Sequence, residues 1–535
     1  MDNYKFLIKY LNPFRFKLFL IIIGVGIVSL LAMPIPWING LVIDALVEKS
    51  NKLYFIQLIA IMLGIQIVKY VISIQTKISL SSLNVNLVNN IKLAMLKRTV
   101  DLPMEFYIKK DIGYIVTRIN ECNNLNGLFS SSVLTSIIGV LDFIFSIFIA
   151  LWINSKITLI VLSILPLIVF LSFKSSKNLK KSSLKLMESS ANSNNVIYET
   201  IDTIEELKLH NYHKQSIKEV ETFLKSFTQA LFNQNKSIVY FTENISLINS
   251  LGSVALLLIS GFFIYNGDIT IGTYTALSQY TIKIFGNVNL FSSVVVQIKP
   301  IEVSISRIRE FFEHTTESEE GGIELTEDIK QIQLEDINYS YNKEKSIIKN
   351  LSLDLESGKC YRISGSNGSG KSTLLKIISG LLKIDSGRIY YNGIDAMNIS
   401  KESLRNKIGF VTHRCYLFNG TILQNIFLNN EPNREKLLEI IEKYELDTYF
   451  NEFENGIDTT IAHNGKNISA GQRQFIAFLR AMLSEKDILF FDEPISNIDI
   501  EKQKKIVQLI YNITDKVVVV ISHSTHFDGF KQIQI

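Results

Sequence analysis

Six stretches of this chain are apolar for long enough, or nearly so, to cross the roughly 30 Å hydrocarbon core of a bilayer as helix. They cover residues 18–41, 53–74, 132–153, 157–173, 245–265 and 274–296. Short polar connections follow the first, third and fifth: Glu48-Lys49-Ser50-Asn51-Lys52, Asn154-Ser155-Lys156 and Asn266-Gly267-Asp268-Ile269-Thr270. The connections after the second and fourth are long, nearly free of proline and glycine, and rich in Lys, Asn, Ser and Glu. That composition predicts helices that carry the membrane segments onward into water. Pro34 and Pro36 lie late in the first stretch, where a membrane helix tolerates a kink if neighbours satisfy the freed carbonyls. Beyond residue 300 the pattern changes. Thr315-Thr316-Glu317-Ser318-Glu319-Glu320-Gly321-Gly322 reads as a linker by charge and glycine content. After it, short apolar strands alternate with helices, the α/β pattern. The chain therefore predicts an all-α polytopic membrane domain over 1–312, a linker over 313–322, and an α/β domain over 323–535.

Composition supports this division: hydrophobic residues make up 47% and charged residues 20%, high and low for a soluble protein of this length. The net charge of +4 gives no reason to expect a nucleic-acid partner. Position matters more than sum. Basic residues cluster at Lys5, Lys9, Arg15 and Lys17, then at Lys92, Lys97, Arg98, Lys109, Lys110 and Arg118, then at Lys174, Lys177, Lys180 and Lys181. The short connections carry few, so both termini and both long segments are expected on the cytoplasmic side of the cell membrane. Cys122, Cys360 and Cys415 are scattered without metal spacing, which predicts reduced thiols. The first apolar run has no small-residue cleavage site before it and reads as a retained membrane helix. Within the bundle, Asp142 and Lys283 are expected to face a cavity, or to pair with each other or with polar groups nearby. Tyr274, Thr275, Ser278, Gln279, Tyr280 and Asn287 form a polar stripe that would suit a peptide-like or amphipathic molecule.

The second domain carries the chemistry. Gly365-Ser366-Asn367-Gly368-Ser369-Gly370-Lys371-Ser372-Thr373 fits G-x-x-x-x-G-K-[ST] between a strand and a helix, the loop that wraps nucleotide phosphates. Its glycines let backbone N–H groups turn inward, and the helix N-terminus adds positive potential. Lys371 is placed for the β- and γ-phosphates, and the Ser372 hydroxyl for Mg²⁺. Downstream, Ile488-Leu489-Phe490-Phe491-Asp492-Glu493 is an apolar strand ending in two carboxylates. A parallel sheet would present them where α/β ligands bind. Asp492 would hold Mg²⁺, directly or through water, and Glu493 would act as general base on the attacking water.

These motifs, with Ile468-Ser469-Ala470-Gly471-Gln472 opening a helix, resemble those of the ABC transporter family, in its half-size exporter form. The segments Leu102-Pro103-Met104-Glu105-Phe106-Tyr107 and Glu199 to Lys208 resemble its coupling segments. The resemblance implies that Tyr341 stacks on adenine, that Ser469, Gly471 and Gln472 face a γ-phosphate, and that His523, after the strand Val517 to Ile521, hydrogen-bonds that phosphate. Ser496-Asn497-Ile498-Asp499 matches the loop that signals across a dimer. One nucleotide domain cannot bring its signature to its own phosphate loop, so two must pair head to tail, in a homodimer ahead of a heterodimer. The implied function is ATP-driven export of a peptide, drug-like or lipid-like cargo. The alternatives are an importer built on the same fold and an ATP-gated regulatory or immunity protein. Two places depart from the family: His413 stands where a glutamine is usual, and His463 where an acidic residue is usual. The chain closes at Gln532-Ile533-Gln534-Ile535, soon after His523, and no protease domain is expected before the first crossing.

Overall fold

The computed structural model describes residues 3–49, 51–110, 112–342, 345–428, 431–462 and 465–535. Two compact units result: residues 1–97 with 115–313, and residues 98–114 with 314–535.

The first unit is helical. α1 (Asn3–Leu11) leads through a 3₁₀ turn into α2 (Arg15–Ala32), and α3 (Pro34–Val47) follows after one residue. Next come α4 (Lys52–Val100), α5 (Met104–Lys109), which belongs to the second unit, α6 (Ile112–Glu121), α7 (Ser131–Ile153), α8 (Ser155–Leu162), α9 (Leu165–Asp202), α10 (Ile204–Leu209), α11 (His213–Tyr265) and α12 (Ile271–Glu313). The 49 residues of α4 and the 53 of α11 span about 74 and 80 Å at 1.5 Å per residue. Each is more than twice a hydrocarbon core, so only part of each can face lipid. Among the described residues four helical segments are long and apolar enough to cross: Lys5–Val47, Lys52–Val100, Val133–Ile153 and His213–Tyr265. The fourth expected stretch is divided between α8 and α9, with Pro166 in the first turn of α9. The sixth falls on α12, part of whose apolar segment has side chains outside the described set.

The proline break in the first crossing is held by α12. Pro36 has no N–H to give the Ala32 carbonyl, which a regular helix would pair four residues on. Lys283 Nζ donates to that carbonyl at 2.9 Å, and the Tyr280 hydroxyl donates to the Met33 carbonyl at 2.6 Å. The same seam continues along α3. Asn39 Nδ2 donates to Gln279 Oε1 at 3.0 Å, and Asp44 accepts from the Gly272 N–H at 2.7 Å and the Thr270 hydroxyl at 2.6 Å. Backbones meet there directly: a Cβ on Gly272 would lie 2.1 Å from the Gly40 carbonyl oxygen. Two residues of the stripe expected to face cargo, Gln279 and Tyr280, are thus engaged in helix packing, Tyr280 fully buried. Lys283 spans to main chain, with Asp142 and Lys69 within electrostatic reach. Tyr280→Phe leaves the Met33 carbonyl short of a partner and is expected to cost about 0.5–1.5 kcal/mol, the range for single interhelical hydrogen bonds in membranes. Equilibrium unfolding in mixed micelles measures it; an unchanged midpoint means that the carbonyl finds another donor.

The second unit holds α5 and the α/β domain. α13 (Glu317–Glu320) is followed by β1 (Gln331–Asn342), β2 (Lys345–Glu356), β3 (Cys360–Ser364), α14 (Lys371–Ile378), β4 (Ser386–Tyr391), β5 (Ile394–Asp395), α15 (Lys401–Asn406) and β6 (Ile408–Val411). β7 (Gly420–Thr421), α16 (Ile422–Ile426), α17 (Arg434–Lys443), α18 (Asp447–Phe450), β8 (Thr460–Ile461), α19 (Ala470–Met482), β9 (Ile488–Asp492), α20 (Ile500–Tyr511), β10 (Val517–Ile521) and β11 (Lys531–Gln534) complete it. An antiparallel sheet, β2-β1-β4-β5, packs through a shared core against a parallel sheet ordered β11-β3-β10-β9-β6. Every residue of β9 and β10 is buried, which their unbroken apolar runs require when both sheet faces are covered. α5 docks within this unit: Glu105 Oε1 accepts the Lys383 N–H at 2.8 Å, and Phe106 meets His314 edge-on at 5.1 Å. α13 is fixed by a two-pronged contact from Arg405 to Glu317, both bonds 2.7 Å.

Candidate functional site

Three of the central parallel strands end at one cavity. β3 delivers the loop 365–370, β9 delivers Asp492 and Glu493, and β10 delivers His523 just beyond its end. The cavity, about 650 Å³, is lined by Asn367, Gly368, Gly370, Lys371, Ser372 and Thr373, together with Tyr341, His413, Asp492, Glu493, Ser496 and His523.

The loop's shape follows from its glycines. Gly368 and Gly370 hold φ of +82° and +101°, conformations open to glycine without strain. A Cβ on Gly370 would also lie 2.7 Å from Ile347 Cγ2. The chain curls around Lys371, whose ammonium donates to the Gly365 and Ser366 carbonyls at 2.9 Å each. The N–H groups opening α14 and this ammonium give the cavity a positive wall, suited to an anion. Within the loop, Ser369 Oγ is buried without a hydrogen-bond partner. Tyr341 is tied to the same helix, its hydroxyl 3.2 Å from Thr373 Oγ1, and its ring stands edge-on to Tyr339.

The opposite wall is acidic. Asp492 is buried at the end of β9. Glu493 has φ of +52°, a conformation that costs a non-glycine residue about 1–3 kcal/mol and persists only where surroundings over-determine it. Here they do. The Glu493 N–H donates to the Ile521 carbonyl at 2.9 Å, and its carbonyl accepts from Gln474 Nε2 and, at 3.2 Å, from the Ser496 hydroxyl. Burial pushes the Glu493 carboxyl above the usual carboxylate range; nearby Asp492 adds to this, and His523, His413 and Lys371 oppose it. A raised carboxyl is a better proton acceptor when ionised. His523 Nε2 stands 4.0 Å from Glu493 Oε1, its ring largely exposed toward the cavity. His413 is also exposed, on a loop that Asn425 pins through both the N–H and the carbonyl of Phe418 at 2.8 Å.

Ser469, Gly471 and Gln472 are not brought to this cavity. They line a separate one of about 360 Å³ with Asn497, Asp499 and Lys502. Ser469 caps α19 with a reciprocal pair: its Oγ accepts the Gln472 N–H at 3.1 Å, and Gln472 Oε1 accepts the Ser469 N–H at 2.9 Å. Gly471 has to be glycine: a Cβ would sit 2.4 Å from the Asn497 carbonyl oxygen. His463 lies outside the described residues.

Two residues carry no signal strong enough to single them out in the sequence. Gln474, 1% exposed, receives the Asn497 N–H on Oε1 at 3.1 Å and donates from Nε2 to the Glu493 carbonyl. Gln503 Nε2 donates to the carbonyls of Ile495 and Ile498 at 3.1 and 2.7 Å. Together they clamp the turn 493–498. The one available hint for Gln474 is an amide beside the apolar run Phe475-Ile476-Ala477-Phe478-Leu479.

As to a metal, Ser372 and Asp492 supply oxygen donors, the set a hard cation such as Mg²⁺ takes. Among the described residues no three His, Cys, Asp or Glu side chains form a cage of their own. An ion there fits as one shared with phosphate oxygens.

Comparison with known proteins covers both domains. The family model for the ABC transporter transmembrane region matches residues 18–288, and that for the ABC transporter matches residues 348–496. The chain is 27% identical over 448 residues to the Lactococcin-G-processing and transport ATP-binding protein LagD of Lactococcus lactis subsp. lactis, covering 81% of this chain but 62% of that protein. It is 26% identical over 528 residues to an ATP-dependent lipid A-core flippase of Desulfotalea psychrophila, covering 96% of this chain and 90% of the other. A solved structure of a bacterial Atm1-family ABC exporter with ATP bound superposes with a TM-score of 0.83 at 15% identity, over 97% of this chain and 93% of that one. At that identity the likeness is one of fold.

Proposed function

This chain belongs to the ABC transporter family, and from that premise we propose that it is one half of an ATP-driven exporter working as a dimer in the cytoplasmic membrane. The observation that carries the reading is the single cavity joining Lys371, Ser372, Asp492, Glu493 and His523 under Tyr341. Tyr341 stacks on adenine, which is worth about 1–3 kcal/mol where aromatics stack on bases. Loop N–H groups and Lys371 take the phosphates, trading the Gly365 and Ser366 carbonyls for stronger charge-assisted partners. Ser372 and Asp492 hold Mg²⁺, which when bound neutralises phosphate charge. Glu493 takes the proton of the attacking water, and His523 donates to the γ-phosphate. Ser469, Gly471 and Gln472 cap the ATP of a second copy, since in their own chain they open onto a separate cavity.

The basic clusters favour a cytoplasmic position for both termini and the nucleotide domain. ATP binding closes two domains, and α5, seated on Lys383 through Glu105, is the element by which closure reaches the membrane helices. ATP drives the change only by binding the closed form better. The names of the two relatives, one for lactococcin G and one for lipid A-core, make a peptide or a lipid-like molecule the class to test first.

In proteoliposomes of the purified protein, an exported peptide or lipid is expected to raise ATP turnover two-fold or more and to accumulate on the side away from the nucleotide domains. Turnover that no such cargo changes, with no accumulation, would favour an ATP-gated regulatory protein. His413, in place of an amide at the cavity edge, is the residue that favours this second reading.

A further inference from the structure

The helix that carries the signature residues is joined to the turn that carries Glu493 by one buried side chain. Gln474 lies one helical turn from the Ser469 cap and bonds both ends of the stretch 493–497. Its Nε2 holds the Glu493 carbonyl and its Oε1 holds the Asn497 N–H. On the other side of the same stretch, Gly471 is so close to the Asn497 carbonyl that not even a methyl group fits. Any tilt of the first turn of α19 is therefore passed to Asn497 by contact, and through the Gln474 amide to the backbone of Glu493. That backbone is in a strained left-handed conformation at φ +52°. A residue held there by its pins swings its carboxylate when a pin moves.

We propose that Gln474 is a positioning residue that sets the Glu493 carboxylate of one ATP site according to whether the signature of the same chain is engaged on the partner's ATP. The proposal rests on the head-to-tail ATP reading above. It makes the two sites of the dimer cooperative through a defined path: partner ATP, Ser469 and Gly471, Gln474, then the Glu493 main chain. Gln474 touches no reacting atom. Gln503 clamps the same turn from α20, through the Ile495 and Ile498 carbonyls, but has no bond to Glu493 or to α19. It is the natural control for simple loosening of the turn.

The test uses the full-length protein with ATP and a fluorescent ATP analogue, comparing wild type, Gln474→Met, Gln474→Glu and Gln503→Met. Gln474→Met is expected to lower kcat ten-fold or more, to leave analogue affinity within two-fold, and to bring the Hill coefficient of ATP hydrolysis to 1. Gln474→Glu keeps an acceptor for the Asn497 N–H and is expected to recover part of the cooperativity. Gln503→Met is expected to stay cooperative even when its thermal midpoint falls as far as that of Gln474→Met. In a double-mutant cycle, Ser469→Ala should lower kcat in wild type and have little further effect in Gln474→Met, since the path is already cut. The proposal is overturned by a non-cooperative wild type, by equal loss of cooperativity in Gln503→Met, or by additive effects in the cycle. Failure of the wild type to bind the analogue at all would instead bring down the ATP reading beneath it.

Discussion

Replacing Glu493 by glutamine is expected to reduce ATP turnover by about 10²–10⁴-fold, the range for loss of a positioned general base, with nucleotide affinity unchanged within a few-fold. The change is nearly isosteric. The bonds that hold residue 493 in place use its N–H and carbonyl, which pair with Ile521, Gln474 and Ser496, so the substitution leaves the turn pinned. Nothing in the loop 365–370 or in Tyr341 depends on the carboxylate. The group that disappears is a carboxylate at the end of a buried strand, and its burial raises its proton affinity. Removing it also lessens the negative charge beside Asp492, so ATP binding should hold or tighten slightly. The measurement is steady-state phosphate release alongside equilibrium binding of labelled ATP. Turnover equal to wild type would place the proton acceptor elsewhere in the cavity, with His523 and His413 the next groups to remove.

How much of this is legible in the sequence depends on whether the cause is local. The loop 365–373 can be read because glycine spacing, a preceding strand and a following helix are properties of adjacent residues. Asp492 and Glu493 can be read because an apolar strand in a parallel sheet must deliver the residues at its C-terminal end to the sheet edge. Gln474 and Gln503 cannot. Their partners, Glu493, Asn497, Ile495 and Ile498, are fixed by how α19 and α20 pack against the turn, and an isolated glutamine in a helix looks like surface. Lys283 shows the opposite lesson. Sequence alone makes it a buried charge facing a cavity or a polar neighbour; the structure puts it on the carbonyl that Pro36 leaves unpaired. Each proline in a helix leaves its i−4 carbonyl in demand of a donor, and that demand points to such a partner. Hydropathy makes the stretch 157–173 continuous because it ignores Pro166, which instead begins a new helix. The dimer is legible only as an implication of family resemblance, and it is the implication with the most to lose.

A mixing experiment isolates it. Lys371→Ala removes the ammonium proposed to bind phosphate, and Ser469→Glu sets a carboxylate on an exposed signature residue, where it repels a partner's phosphate and leaves Gly471 seated against Asn497 in its own chain. In a Glu493→Gln background, expected from the first prediction to retain bound ATP, each variant alone should occlude less than about a hundredth of the nucleotide held by the otherwise unchanged protein, a loss on the order of 3 kcal/mol at 1.4 kcal/mol per decade. Co-expressed under two affinity tags and purified through both, the two variants should behave differently. If a site takes its phosphate loop from one chain and its signature from the other, the mixed dimer has one site bearing both lesions and one bearing neither. It should occlude one ATP per pair. The complementary mixture, a chain with both substitutions beside a chain with none, has one lesion in each site and should occlude none. Were the site built within a single chain, the two results would exchange places: the first mixture would be dead and the second half-active. No difference in stability or expression between the variants can imitate that exchange, because both mixtures contain the same two substitutions in the same dose. The separate cavities observed here, one at Lys371 and one at Ser469 with no lining residue in common, predict the first pattern.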